Sequence, residues 1–154
     1  MKKLITVTET SPAIDMALFA ARIGLGTLML AHGIPKMLML ISGGPVSFPG
    51  VMGMSPELSL SLAVFAEVLC SVLIIAGIGT RLATIPLIVT MLVAILVIHS
   101  GDPFAKIEPG LQYLTGYVIL LLAGSGKYSF DYLLQKKMKP VRIKKLTEGR
   151  SLRI

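Results

Sequence analysis

Two ionisable residues of opposite charge, Arg22 and Glu67, each lie near the middle of a long apolar stretch of the sequence. The stretches run from Ala13 to Ala31 and from Leu58 to Ala76. A charge at the centre of a lipid-spanning helix costs roughly 2.5–3.5 kcal/mol even on the mildest insertion scales. We therefore expect the two side chains to neutralise each other. Such a pair either holds two helices in register or marks a ligand or proton-relay site.

The spacing of the two charges supports this pairing. Arg22 lies nine residues after Ala13, and Glu67 lies nine residues after Leu58. At 1.5 Å per helical residue, each charge is about 13.5 Å from the point where its helix enters the membrane. The sequence therefore predicts that Arg22 and Glu67 meet near the middle of the bilayer.

Further titratable residues lie at the ends of the apolar stretches, and His32 and Lys36 share one helix face because they are four apart. Histidine titrates nearest neutral pH, so His32 and His99 could relay protons toward Glu67, or simply form hydrogen bonds at the membrane interface. We predict a cavity with Arg22 and Glu67 at its base and His32, His99 and Glu108 nearer its mouth. These ligand types could bind zinc, but without local ligand spacing the sequence predicts no metal site.

The composition is that of a membrane protein. Of 154 residues, 54% are hydrophobic and only 15% are charged, there is no tryptophan, and the mean hydropathy is +0.81. A membrane span needs about 20 mostly apolar residues. Four stretches come close to this length: Ala13 to His32, Leu58 to Gly77, Leu82 to Ile98 and Leu111 to Gly124. We therefore predict an all-α integral membrane four-helix bundle over residues 13–135, preceded by a cytoplasmic arm (1–12) and followed by a basic tail (136–154).

Basic residues predict the orientation, because lysine and arginine near the spans are retained in the cytoplasm. Twelve of them, including Arg81 in the turn between the second and third stretches, lie on the side of the termini, whereas Lys36 and Lys106 lie on the other. Both termini should therefore be cytoplasmic in a multi-pass protein of the cytoplasmic (inner) membrane. The net charge of +7 comes mostly from the tail. It indicates attraction to the lipid bilayer and no nucleic-acid partner.

Cysteine-accessibility labelling tests this orientation. A cysteine introduced at Ser47 should react only with reagent added from outside, and one at Ser151 only with reagent from the cytoplasm. The opposite pattern would contradict the predicted topology.

The remaining segments predict how the stretches are connected. Pro35 is expected to close the first span, and residues 77–81 should form a tight turn between the second and third. Residues 42–56 are rich in glycine and proline, yet Phe48, Val51 and Met52 are too apolar for a freely solvated linker. This loop is therefore expected to fold back onto the bundle or to lie at the interface.

The order of these motifs resembles the DoxX family of small four-helix bacterial membrane proteins. The matching segments, spread over roughly residues 13 to 135, are Arg22-Ile23-Gly24-Leu25-Gly26, His32-Gly33-x-x-Lys36, Glu67, Gly77-x-Gly79-Thr80-Arg81, His99, Glu108 and Gly124-Ser125-Gly126-Lys127-Tyr128-Ser129-Phe130-Asp131. The family takes its name from a subunit of a thiosulfate:quinone oxidoreductase, and other members are associated with oxidative-stress or thiol-handling complexes or with quinone detoxification. The resemblance implies that the polar residues of these motifs matter, without assigning them catalytic steps.

Three functional hypotheses follow. The first is a membrane component of a redox or respiratory system that binds a quinone-like or other lipophilic ligand near the buried charges. The second is a non-enzymatic scaffold that docks a soluble or membrane oxidoreductase subunit, and the third is a small transporter or proton pathway. The sequence contains no GxSxG, Walker, dinucleotide-binding or HExxH motif and no paired cysteines. Enzymatic activity and homo-oligomerisation are therefore left open.

Overall fold

Four long antiparallel helices make up most of residues 11–138, the part of the chain that the computed structural model describes. They are α1 (Pro12–Ile41), α2 (Pro56–Ala76), α3 (Thr80–Ile98) and α4 (Phe104–Ala123), and a short helix α5 (Phe130–Met138) follows them. No strand occurs in residues 11–138, which confirms the predicted all-α bundle. Most of the predicted arm and tail lies outside the described residues.

The two ends of the bundle are built differently. The loop end consists of residues 42–55 and 99–103, and the terminal end consists of Ser11, the turn at 77–79 and residues 124–129. At the terminal end Asp15 contacts Lys127. The beginning of α1 and the segment after α4 therefore lie at the same end of the bundle, as an even number of antiparallel helices requires.

Local sequence signals set several helix boundaries. The hydroxyl groups of Ser11 and Ser55 accept hydrogen bonds from backbone N–H groups at the starts of α1 and α2, and each serine is followed by proline. Gly77 ends α2 in the left-handed conformation (φ 71°). The predicted tight turn between α2 and α3 is confirmed.

Pro35 does not close the first span, and this prediction is wrong. Helix α1 continues through Pro35 to Ile41 and is 30 residues long. A proline removes one backbone donor from a helix, but neighbouring helices and side chains can compensate inside a membrane bundle. The residues after Pro35 are good helix formers, and Lys36 is held by a contact to α2.

Three of the described helices, α1, α2 and α3, are long and apolar enough to cross a membrane. Helix α4 has 20 residues and packs along α3, although its first turns carry Lys106 and Glu108. Large aliphatic side chains such as Leu69, Val89 and Leu96 are exposed on the outside of the bundle. Such a surface is suited to lipid contact.

Two glycines fix the register between α1 and α2. A Cβ atom on Gly33 would lie 2.9 Å from Cβ of Glu67, and one on Gly26 would lie 3.2 Å from the carbonyl oxygen of Ser71. Glycine therefore lets the two backbones approach closely, as small residues commonly do between membrane helices. In this register Gly33 faces Glu67, and Arg22 faces Gly77.

Both α2 and α3 contain a π-helical segment, Phe65–Cys70 and Ala94–Ile98 respectively. Glu67 lies in the first segment, and His99 directly follows the second. Short π-helical segments within α-helices are frequent at functional sites.

Residues 42–55 fold back onto the bundle, which confirms the expectation from their apolar character. Val51 is buried, and its N–H donates to the hydroxyl of Ser59 at 3.0 Å. The ring centroid of Phe48 lies 5.8 Å from Nζ of Lys36. The loop thus contributes to the surroundings of the charged residues at this end.

Candidate functional site

Glu67 forms an ion pair with Lys36. The Lys36 Nζ and Glu67 Oε1 atoms are 2.5 Å apart. Glu67 is only 2% exposed, whereas the side chain of Lys36 is 30% exposed. Arg22 instead donates from Nη2 to the carbonyl oxygen of Tyr128 at the terminal end. The predicted Arg22–Glu67 pair is therefore wrong.

The error comes from the assumed depth of the two charges. Helices α1 and α2 enter the membrane from opposite sides. Charges at equal distances from the two entry points therefore lie at the same depth only if each span is about twice as long as that distance. Helix α1 is 30 residues, or roughly 45 Å, long. Gly33, the residue that faces Glu67, is about 16 Å further along α1 than Arg22. Lys36 lies near Gly33 and supplies the cation instead.

The ion pair borders a cavity of about 400 Å³ between α2, α3 and the loop. Most of its wall is apolar and includes Phe48, Met52, Met54, Leu62, Val89 and Ile98. Leu62 and Val89 belong to neighbouring helices and are also exposed on the outer surface. The first cavity is therefore apolar along its wall, reaches the lipid-facing surface and has Lys36, Glu67 and His99 as its charged and titratable groups.

A second cavity of about 270 Å³ lies on the other side of the pair, between α1, α3 and α4. It shares Lys36, Glu67 and His99 with the first cavity. His32, Lys106 and Tyr113 add further polar groups to its wall. The ion pair thus separates an apolar cavity from a more polar one.

The structure brings together four of the predicted site residues: His32, Lys36, Glu67 and His99 all line one or both cavities. The ring of His32 also packs edge-on against Tyr113, with a centroid distance of 5.8 Å. Neither cavity is lined by Arg22 or Glu108. The predicted cavity geometry is therefore wrong for these two residues, because Arg22 lies at the terminal end and Glu108 points away.

Glu108 and Arg81 form hydrogen bonds with residues that line neither cavity. Glu108 is exposed and accepts a hydrogen bond from Nε2 of Gln112 at 3.1 Å. Arg81 donates from Nη2 to the carbonyl oxygen of Leu122 at 3.2 Å. This contact joins α3 to the end of α4.

Several buried polar atoms around Glu67 have no hydrogen-bond partner among the described residues. They are Oε2 of Glu67 and the hydroxyl groups of Ser71 and Tyr117. Tyr117 is close enough to Glu67 to interact with its charge. Buried polar groups are normally satisfied by protein, water or ligand. Glu67 therefore keeps free hydrogen-bonding capacity where it borders the cavities, which the sequence analysis missed.

His99 is held by Asp102, a residue that the sequence analysis did not identify. Its Nδ1 lies 2.8 Å from Oδ2 of Asp102, and Oδ1 of Asp102 accepts from Nζ of Lys106 at 3.3 Å. The hydrogen bond with His99, followed by that with Lys106, holds the pKa of Asp102 below its ordinary value. Asp102 is therefore a carboxylate at neutral pH.

At the terminal end a second polar cluster joins several segments. Arg22 is completely buried, and its guanidinium lies 5.8 Å from the ring centroid of Phe19. Asp131 accepts from the N–H groups of Gly79 (2.8 Å) and Thr80 (3.4 Å). We call Arg22, Gly77, Tyr128 and Asp131 the terminal clasp. Its contacts tie α1, the turn at 77–79 and the segment after α4 together.

The fold and this site define the class of the protein: a helical membrane bundle with a buried ion pair between two cavities. The chain belongs to the DoxX family, whose family model matches residues 17–100. This confirms the resemblance, over a shorter range than the motifs suggested, and the matched range includes His32, Lys36, Glu67 and His99.

A curated relative supports the membrane assignment. The chain is 28% identical over 130 residues to the uncharacterized membrane protein Rv3486 of Mycobacterium tuberculosis, and the match covers 75% of this chain and 80% of that protein. No solved structure gives a significant match to the chain.

Proposed function

We propose that this protein binds a lipophilic ligand with a quinone-like head group in the first cavity, as the membrane component of a redox system. One observation carries the proposal: an apolar cavity that reaches the lipid-facing surface ends at the Lys36–Glu67 pair, where Oε2 of Glu67 has no hydrogen-bond partner within residues 11–138. A ligand from the bilayer would meet an apolar wall first and charged groups at its base.

The donor and acceptor types fit both oxidation states of a quinone. The ammonium of Lys36 can donate to a quinone carbonyl, and the free oxygen of Glu67 can accept from a hydroquinone hydroxyl. The volume of about 400 Å³ lies within the range of roughly 300–1,000 Å³ typical of ligand pockets. The chain's own residues would thus bind and orient the ring, while the quinone would supply the redox chemistry.

The location proposed for this function is the cytoplasmic membrane, with both termini in the cytoplasm. The electron donor or acceptor would be an oxidoreductase subunit on either side of the membrane. Membership of the DoxX family supports this role only at the level of the resemblance described above.

Binding of decylubiquinone to the purified protein in lipid nanodiscs tests the proposal. Val93→Phe should fill part of the first cavity and weaken binding at least tenfold. The matched control is Val118→Phe, because Val118 is exposed on α4 and lines neither cavity. Glu67→Gln should weaken binding roughly ten- to hundredfold, as expected for a hydrogen bond to a charged group.

Each variant is first checked for an unchanged helical circular dichroism spectrum and thermal midpoint. Equal binding by wild type, Val93→Phe and Val118→Phe would contradict the proposed site. Binding no stronger than partitioning into protein-free nanodiscs would also contradict it. In that case a scaffold that docks an oxidoreductase becomes the better account.

A further inference from the structure

His99 occupies a distinctive place, because it lines both cavities. The first cavity is apolar and reaches the lipid-facing surface, and the second contains His32, Lys106 and Tyr113 and extends toward the loop end. A group that faces both spaces can pass a proton between a ligand in the first cavity and water in the second. Among the titratable residues of the part of the chain that the structure describes, only Lys36, Glu67 and His99 line both.

Lys36 and Glu67 are engaged with each other, whereas His99 is held from the other side by Asp102. Because Asp102 is a carboxylate, it can only accept a hydrogen bond from the imidazole. Nδ1 of His99 must therefore carry the hydrogen. In the neutral ring Nε2 is then an acceptor, ready to take up a proton.

We propose that His99 is the proton-exchange group of this site and that Asp102 is its positioning residue. The inference concerns the site described under the proposed function and rests on it for the identity of the ligand. Nε2 accepts a proton from a ligand hydroxyl or from water, and the carboxylate of Asp102 stabilises the imidazolium that forms. Release of the same proton to water in the second cavity restores the neutral ring, and neither step changes an oxidation state.

The charged and titratable groups around His99 come from every helix that borders it. Lys36 and His32 belong to α1, Glu67 to α2, and Lys106 and Tyr113 to α4. The ring of His99 contacts the carboxylate of Asp102, and this carboxylate in turn contacts the ammonium of Lys106. The ring therefore lies among charged groups of both signs.

Nitrogen NMR of histidine-labelled protein tests the position of the proton without any ligand. The chain has only two histidines, so His32→Gln assigns the spectrum and His32 serves as the internal control. Neutral His99 should be in the Nδ1–H form in wild type. Asp102→Ala should move it toward the Nε2–H form that free imidazole prefers, and the signals of His32 should not change.

Asp102→Asn is the conservative variant. Its amide oxygen still accepts from Nδ1, so the tautomer should be retained, but the imidazolium loses its countercharge. The titration of His99 should therefore move to lower pH, whereas that of His32 should not. Neutral wild-type His99 in the Nε2–H form, or a tautomer unaffected by Asp102→Ala, would overturn the proposal.

Calorimetry with decylubiquinone in two buffers of different ionisation enthalpy measures the proton linkage. The quinone carbonyl accepts from a protonated Nε2, so binding at a pH where the NMR spectrum shows a neutral His99 ring should take up a proton. His99→Gln should abolish this uptake, and Val118→Phe, which lies outside both cavities, should retain it. Normal binding without uptake in wild type, or uptake that persists in His99→Gln, would overturn the proposal. If no quinone binds, the proposed function fails, and the NMR result still decides the role of Asp102.

Discussion

Replacing Lys36 by methionine is expected to lower the free energy of unfolding by about 3–5 kcal/mol, the cost typical of an uncompensated buried charge. Glu67 is 2% exposed and would lose its only ion-pair partner among the described residues. Removing the other partner of the pair, by Glu67→Leu, should cost less stability. The side chain of Lys36 is 30% exposed, so its ammonium can move toward the interface. The measurement is reversible unfolding in mixed micelles.

The double variant Lys36→Met/Glu67→Leu should be more stable than Lys36→Met alone, since no buried charge remains. Lys106→Met is the matched control, because Lys106 also pairs with a carboxylate but its side chain is 63% exposed. It should cost less than about 1 kcal/mol, as exposed ion pairs do. A cost for Lys36→Met no larger than that for Lys106→Met would contradict the buried pair.

The second large effect is expected for Gly77→Ala at the terminal clasp. Gly77 has a positive φ of 71°, and a Cβ atom there would overlap Nη1 of Arg22 and lie 2.6 Å from Cβ of Ser129. Arg22 is completely buried and would have to give up its hydrogen bond to Tyr128. We expect a loss of about 3 kcal/mol or more, from the left-handed conformation together with the disrupted buried hydrogen bond.

Gly79→Ala provides the control for backbone strain. Gly79 is also left-handed (φ 55°), but a Cβ atom there would meet nothing within 4 Å. Its cost should be limited to about 1–2 kcal/mol of conformational strain. The difference between the two alanine variants in thermal or denaturant unfolding isolates the contact with Arg22. Equal costs would show that the clasp does not depend on this close approach.

Hydropathy and the positions of glycine and proline predicted the helical bundle and its connections, except for the end of the first span, which Pro35 does not close. The turn at 77–79 and the folded-back loop follow from glycines and from apolar residues such as Val51. Which side chains of neighbouring helices face each other could not be predicted in the same way. It depends on a register fixed by close contacts of Gly26 and Gly33, which a count of residues from the membrane entry does not contain.

The candidate site was predictable in its residue types but only partly in its geometry. His32, Lys36, Glu67 and His99 stand out as polar residues near the ends or middle of apolar stretches. Asp102 and Tyr117 did not stand out, since a loop aspartate and a tyrosine in a helix are common and their contacts appear only after packing. The three-residue spacing of His99 and Asp102 was the available signal for that contact.

Photolabelling with an azidoquinone followed by peptide mapping tests the central claim most directly. If a quinone head group binds at the Lys36–Glu67 pair, the label should concentrate on the residues that line the first cavity, within 48–67 and 89–99, and excess decylubiquinone should suppress it. Lys36→Met should reduce this labelling, whereas Val118→Phe should not. Labelling spread evenly over the lipid-facing helices, or concentrated at the terminal end near Arg22, would contradict the account.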